Sequence, residues 1–225
     1  IYVAQTVGSG RLKELDKIVG NSLTLCVLTS LILMLAIPLA GPILRLINTP
    51  ESILTVTRNY LVICTAGNLT VALYNGLCGV LRGMGDSFHP TLFVAIATVV
   101  NIVLDYLFVA VFHWGAAGAA LATVIGQTVA CLFALGYLFI KRSSFGFDFH
   151  PSAFLLKGEH VKVILRIGAP ITLKNMFISL SMIFVNAQIN SLGVIAVAVT
   201  GICSKLQSLM QVVSQAMMDG TASMV

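Results

Sequence analysis

Long uninterrupted apolar stretches dominate the sequence, and each has about the length that a helix needs to cross a lipid bilayer. Helices and closed barrels are the only backbones that cross hydrocarbon without unpaired polar groups, and a helix needs about 20 residues to span about 30 Å. The stretches lack the alternation over about ten residues that is typical of barrel strands. We therefore predict an all-α, polytopic membrane protein with six spans near residues 18–44, 52–80, 90–112, 116–140, 167–192 and 194–225, preceded by the end of another helix at residues 1–7.

The scarcity of charge supports the same class of protein. Only 9% of the residues are charged and 58% are hydrophobic, whereas soluble domains carry about 25% charged residues. So few charges cannot cover the surface of a soluble domain of this length, so lipid must cover much of it. The sequence starts and stops within apolar runs, without an initiator Met or a polar tail. We expect the rest of the same polypeptide, with further helices, to lie outside it.

Basic residues in the connecting loops fall mainly on one side of the predicted membrane. The loops at residues 8–17, 81–89 and 141–166 hold nine Lys and Arg residues, and the opposite side has only Arg45 and Arg58. Because cytoplasmic loops carry an excess of Lys and Arg, we predict a multi-pass protein of the plasma membrane with these three loops in the cytoplasm. This topology accounts for the net charge of +5, so we do not expect nucleic acid as a partner.

Two neighbouring spans each carry a stripe of polar residues. Asp105 and Asn101 stand four residues apart in one span, and Ala119, Thr123 and Gln127 follow at the same spacing in the next. Carboxylate, amide and hydroxyl oxygens are what hard cations and protons require, and charges inside spans mark ion pathways. We predict a cation or proton site at Asp105. The alternative is that Asp105 reaches water at the outer end of its span, with Asn101 and Thr123 as ordinary interhelical hydrogen-bonding residues.

The last two spans contain the deepest basic residue of the chain, Lys205. Together with Gln188 and Gln207, and with Gln127 of the earlier pair, it is a candidate for lining a central cavity. An ordinary place in the bundle is the alternative for these side chains.

An enzyme is the class that the sequence favours least. It shows no nucleophile beside a base, no metal-ligand cluster and no phosphate loop, because the glycine-rich residues 76–86 follow a helix and lack the Lys and Ser or Thr of such a loop. The histidines occupy loops or helix ends, where we expect solvated side chains: His89, His113, His150 and His160.

Several motifs resemble the multidrug and toxic compound extrusion (MATE) family of antiporters. The most specific is Leu81-Arg82-Gly83-Met84-Gly85-Asp86-Ser87, followed by Pro90. The other matching stretches spread over most of the chain: Ala4-Gln5 with Gly8 and Gly10, residues 101–105, residues 115–127, Gly168-Ala169-Pro170 and Leu192-Gly193.

The resemblance implies a fold of twelve helices in two lobes, of which this chain is a fragment from the end of helix 2 through helix 8. Residues 1–140 would then belong to the N-lobe, residues 141–166 would form a cytoplasmic linker between the lobes, and residues 167–225 would begin the C-lobe. Family members of one branch carry an acid in the middle of helix 7, and residues 168–193 contain none. The resemblance therefore favours ion coupling in the N-lobe.

The resemblance also implies export of drugs, toxic organic cations or amphipathic compounds, coupled to inward flow of Na⁺ or H⁺, with no other cofactor. An acid on helix 1 would share the ion with Asn101, Asp105 and Thr123, and Ala119 would offer its carbonyl group. Expected partners are these small substrates, membrane lipid and the missing helices. A lipid-linked oligosaccharide flippase of the same superfamily and a non-transporting membrane subunit stay open as alternatives.

Overall fold

A computed structural model describes residues 2–11, 14–46, 51–142, 153–156, 158–191 and 194–222. Within these residues the chain is helical and contains no strand, so the all-α prediction is confirmed. The α-helices in chain order are α1 (Tyr2–Gly8), α2 (Leu15–Met34), α3 (Ala40–Leu46), α4 (Glu51–Gly83), α5 (Phe88–Asp105), α6 (Gly115–Ile140), α7 (Gly158–Ser191) and α8 (Val194–Ala222).

Five of the described helical segments are long and apolar enough to cross a membrane. They are Leu15–Pro42, Ile53–Gly83, Phe88–Val111, Gly115–Ile140 and Gly158–Asn186. The first four agree closely with the predicted spans, and the fifth overlaps its predicted span but begins earlier. The sixth predicted span is helical as α8, which extends over Val194–Ala222. Helix α7 begins at Gly158, inside the segment predicted as the linker.

The first span is interrupted rather than continuous. A 3-10 turn at Ile37–Leu39 separates α2 from α3, and Pro38 lies within this turn. Proline has no backbone N–H and clashes with the preceding turn of an α-helix, so regular α-helical bonding cannot pass through Pro38. The break leaves α3 as a short helix at the end of this span.

The chain divides into two compact units, Ile1–Val161 and Lys162–Val225. In the first unit, α4 packs against α2 and α6, and α5 packs against α6. Gly67 of α4 directly contacts Val124 of α6, because a residue without a side chain lets two helices approach closely. The largest fully buried side chains of this unit include Leu15, Ile18 and Leu138.

Residues 153–156, which precede α7, pack against α2 in the first unit. The Thr24 hydroxyl donates to the carbonyl oxygen of Phe154 at 3.0 Å, and the buried Asn21 amide lies 3.4 Å from the carbonyl oxygen of Ala153. His160 is also buried, with Nδ1 at 3.2 Å from the Tyr2 hydroxyl. The expectation that His160 is solvated was therefore wrong. His150 lies outside the described residues.

The second unit consists of α8 and most of α7, whose described side chains are largely exposed. Large apolar residues contribute to this surface, among them Phe177 at 62% and Met210 at 75% exposure. Continuous exposed apolar surface is typical of a face that contacts lipid or other protein.

Candidate functional site

The predicted ion site lies where α5 and α6 pack against each other. Gly126 of α6 faces Ala97 and Asn101 of α5, and a Cβ atom at Gly126 would lie 3.0 Å from the Ala97 carbonyl oxygen and 3.2 Å from Asn101 Cβ. The glycine thus brings the two backbones close together. As a result, the polar side chains of the two stripes open into one shared space.

That space is a cleft of about 80 Å³ whose polar side chains come from both helices. Asn101 joins Thr123 and Gln127 there, as the two predicted stripes require. Thr98, which we did not single out from the sequence, adds another hydroxyl group; it precedes Asn101 by three residues and so shares its face. The other lining residues are Val94, Ala97 and Gly126.

Asp105 is the last residue of α5, one turn beyond Asn101. Its Oδ1 atom is buried, as is Nδ2 of Asn101, and neither atom has a hydrogen-bond partner within the described part of the chain. Buried polar atoms are nearly always paired, and an unpaired carboxylate at membrane depth is costly. A bound cation or proton would satisfy the Asp105 oxygen, whereas the Asn101 amide nitrogen is a donor and needs an acceptor.

Thr123 and Ala119 form a linked pair one turn apart on α6. The Thr123 hydroxyl donates to the Ala119 carbonyl oxygen at 2.9 Å. With its proton used in this way, the hydroxyl oxygen keeps its lone pairs for a donor or a cation, and the carbonyl keeps a second lone pair. Asp105 and Ala119 are not among the residues that line the cleft, so the cleft holds only part of the predicted ion site.

The backbone changes its hydrogen-bonding pattern directly after Asp105. Residues Tyr106–Val111 form a π-helix, and the N–H of Phe112 bonds the carbonyl of Leu107 at 2.9 Å. Aromatic contacts stabilise this wider segment, since the rings of Phe108 and Trp114 stack with centroids 5.0 Å apart. Short π-helical segments are frequent at functional sites, and this one places Asp105 at the border between the two helical geometries.

A second polar cluster lies at the opposite end of the same helix pair. The Asp86 carboxylate accepts a hydrogen bond from the Tyr137 hydroxyl at 2.8 Å, and His89 Nδ1 lies 2.8 Å from Oδ2 and 2.9 Å from Oδ1. The His89 ring stacks on Tyr137 at 4.0 Å between centroids. Burial alone would raise the pKa of Asp86, but the hydrogen bonds from His89 and Tyr137 outweigh it and lower that pKa.

The sequence did not indicate this cluster, in which the His89 side chain is 36% exposed and only partly solvated. The available signal was the spacing of Asp86 and His89 at the start of a helix, where an acid three residues earlier can accept the backbone N–H. The structure has this bond, from the His89 N–H to Asp86 Oδ1, at 3.2 Å.

The predicted cavity residues of the last two spans lie in the second unit. Gln188 on α7 and Lys205 and Gln207 on α8 all have exposed side chains. Because positions two apart in an α-helix lie about 200° apart around its axis, Lys205 and Gln207 project from different sides of α8. A role for these three residues stays a prediction.

Comparison with known proteins points to one family. The MatE family model matches residues 1–107. The chain is 38% identical over 180 residues to the probable multidrug resistance protein YpnP of Bacillus subtilis (strain 168), covering 80% of this chain and 39% of that protein. It is 31% identical over 217 residues to the probable multidrug resistance protein YoeA of the same strain, covering 94% of this chain and 47% of the relative. The chain thus spans less than half the length of these relatives.

Solved structures agree with the sequence relatives. The outward-facing conformation of a multidrug resistance MATE family transporter of the MOP superfamily matches with a TM-score of 0.76 and 28% identity, covering 82% of this chain and 41% of that chain. The match in fold, the family model and the relatives all agree with the motifs quoted above. The chain therefore belongs to the MATE family, whose members are membrane transporters and not enzymes.

Proposed function

We propose that this protein is a secondary antiporter of the plasma membrane that exports drugs, toxic organic cations or amphipathic compounds by alternating access. Inward flow of Na⁺ or H⁺ drives the export, and Asp105 binds the coupling ion. The observation that carries this proposal is the unpaired, buried Oδ1 atom of Asp105, one turn from the unpaired amide of Asn101. The names of the relatives, probable multidrug resistance proteins, support small foreign compounds as substrates.

The groups around the α5–α6 contact suit either ion. The Asp105 carboxylate, the Thr123 hydroxyl, the Ala119 carbonyl and, after rotation of its amide, the oxygen of Asn101 are all ligands that Na⁺ accepts. Protonation of Asp105 instead would neutralise the carboxylate and give it a hydrogen-bond donor. In both cases ion release leaves a negative charge with one buried oxygen, so the two ion states favour different arrangements of the lobes.

The test is the Asp105→Asn variant of the protein in its native length. Asparagine keeps the size of the side chain but can neither carry a proton at this site nor supply a negative charge. We expect ion-driven efflux of a fluorescent organic cation from proteoliposomes to fall by about tenfold or more, while membrane insertion and thermal unfolding stay as in the wild type. Glu14→Gln, which removes an acid whose side chain is 45% exposed, serves as the control and should leave efflux unchanged.

Separate gradients identify the coupling ion. A Na⁺ gradient at equal pH and a pH gradient without Na⁺ are applied to the same vesicles, and the gradient that drives efflux in the wild type should fail in Asp105→Asn. Ion-driven export that persists in Asp105→Asn would refute the assignment of Asp105. Absence of efflux from the wild type under both gradients would refute antiport itself and favour a non-transporting role.

A further inference from the structure

A cavity of about 320 Å³ lies between the turn before α3, α3 itself and the first turns of α4. It brings together Arg45 and Arg58, the two basic residues that the topology places on the outer side of the membrane. Its polar lining consists of these two residues and Thr55, and proline and leucine side chains provide the apolar wall. Two cationic groups thus share one recess on the side of the membrane where basic residues are rare.

Neither guanidinium group is neutralised by the protein around it. Both side chains are exposed, and in the described part of the chain neither forms an ion pair or a hydrogen bond. Glu51 begins α4 about two turns before Arg58 and forms no ion pair with either arginine within the same described residues. Two like charges beside one cavity repel each other, so an anion between them would be bound favourably.

Arginines at the ends of spans often extend to the lipid headgroups simply to reach water. This preference explains each arginine alone, but it does not explain why two arginines from different helices line the same cavity. Thr55 and Arg58 are three residues apart and so lie on one face of α4, opposite Arg45. The planar donor fork of arginine fits phosphate oxygens in pairs, and the threonine hydroxyl supplies another donor.

We propose that Arg45, Thr55 and Arg58 form a binding site for a phosphate group at the outer surface of the membrane. The phosphodiester of an anionic phospholipid headgroup or free inorganic phosphate supplies this group. The cavity has room for a phosphate together with a small attached group, since ligand sites begin at about 300 Å³. This site is separate from Asp105 and does not depend on the proposed antiport.

The test measures binding of both sources to the purified protein in its native length. Native mass spectrometry counts phosphatidylglycerol retained from detergent solution, with phosphatidylcholine as the neutral lipid, and thermal shift follows titration with inorganic phosphate. We expect the Arg45→Ala/Arg58→Ala double variant to bind the preferred phosphate source about tenfold more weakly than the wild type. Lys141→Ala/Arg142→Ala removes two exposed charges after α6, at the other predicted surface, and should bind like the wild type.

Each outcome decides the proposal. Retention of phosphatidylglycerol that the double arginine variant loses supports a lipid headgroup, and a phosphate-induced shift that the same variant loses supports free phosphate. The proposal is overturned if the wild type binds neither source, or if the control pair of substitutions weakens binding as much as the arginine pair. Melting without any anion shows that both double variants remain folded, as expected for exposed side chains. Arg58→Lys keeps the charge but loses the donor fork, and it should bind with intermediate strength.

Discussion

Asp86 lies two residues before helix α5 and Asp105 is its last residue, and the two acids differ in almost every contact. Asp86 accepts hydrogen bonds from the Tyr137 hydroxyl and the His89 backbone, and the His89 ring lies against both of its oxygens. Asp105 has a buried Oδ1 atom without a hydrogen-bond partner among the described residues. The two ends of α5 therefore differ: the carboxylate near its start has several partners, and the one at its end has an unpaired buried oxygen.

The difference in hydrogen bonding indicates two different roles for the acids of this helix pair, one structural and one available for binding. A carboxylate with all of its bonds made inside the protein stabilises the fold and has little capacity left for an ion. An unpaired buried carboxylate lowers stability and persists where something else binds to it. We infer that Asp86 fastens the start of α5 to the end of α6, and that Asp105 is left free for the coupling ion.

Replacing each acid by alanine should give the largest difference in stability between the two sites. Asp86→Ala removes the shared acceptor of His89 and Tyr137, so we expect the free energy of unfolding to fall by about 2–4 kcal/mol. Asp105→Ala removes an atom that has no partner, and stability should stay within about 1 kcal/mol of the wild type. Thermal unfolding of both variants in the same detergent measures the difference. Equal losses would show that Asp105 is as firmly bonded as Asp86.

A methyl group at the α5–α6 contact should have a smaller effect on stability. In Gly126→Ala the new Cβ would press on the Ala97 carbonyl and on Asn101, and overpacking of this kind costs about 1–3 kcal/mol. Displacement of Asn101 should also weaken ion-driven efflux. Thermal unfolding and the efflux assay measure the two consequences.

Gly136→Ala is the matched control on the same helix. A Cβ atom there meets nothing within 4 Å, and alanine favours helix more than glycine by up to about 1 kcal/mol. This variant should be as stable as the wild type or slightly more so. If Gly126→Ala behaves like Gly136→Ala, close approach at Gly126 is not what holds Asn101 in place.

Helical periodicity explains why the sequence singles out one of the two acids. Asn101 and Asp105 share a face of one helix, and Thr123 repeats the spacing on the next, so the stripes were visible without any structure. The bounds of α4 and α6 followed from the lengths of the apolar runs. Periodicity alone does not show which faces of α5 and α6 meet. That contact depends on the close approach of the two helices at Gly126.

The cluster around Asp86 depends on contacts that local patterns do not encode. Tyr137 lies 51 positions from Asp86 in the sequence, and only the packing of α6 brings its hydroxyl to the carboxylate. The π-helix after Asp105 was equally hidden, since its residues are as apolar as those of a regular span. Long-range packing and local backbone geometry were therefore the two parts that the sequence did not show.

Acidification should have the smallest effect on stability, and it tests whether the charge of Asp86 contributes to that stability. The pKa of Asp86 is lowered from the ordinary value of 3.8, with burial opposing the hydrogen bonds, so ionisation of Asp86 stabilises the folded state only slightly. This stabilisation is complete above the ordinary pKa and is lost as the pH falls through the lowered pKa of the folded state. We expect the gap in melting temperature between the wild type and Asp86→Asn to narrow as the pH falls below about 3.8. A gap of the same size at pH values well below that point would mean that shape and neutral hydrogen bonds, and not the charge of Asp86, hold α5 against α6.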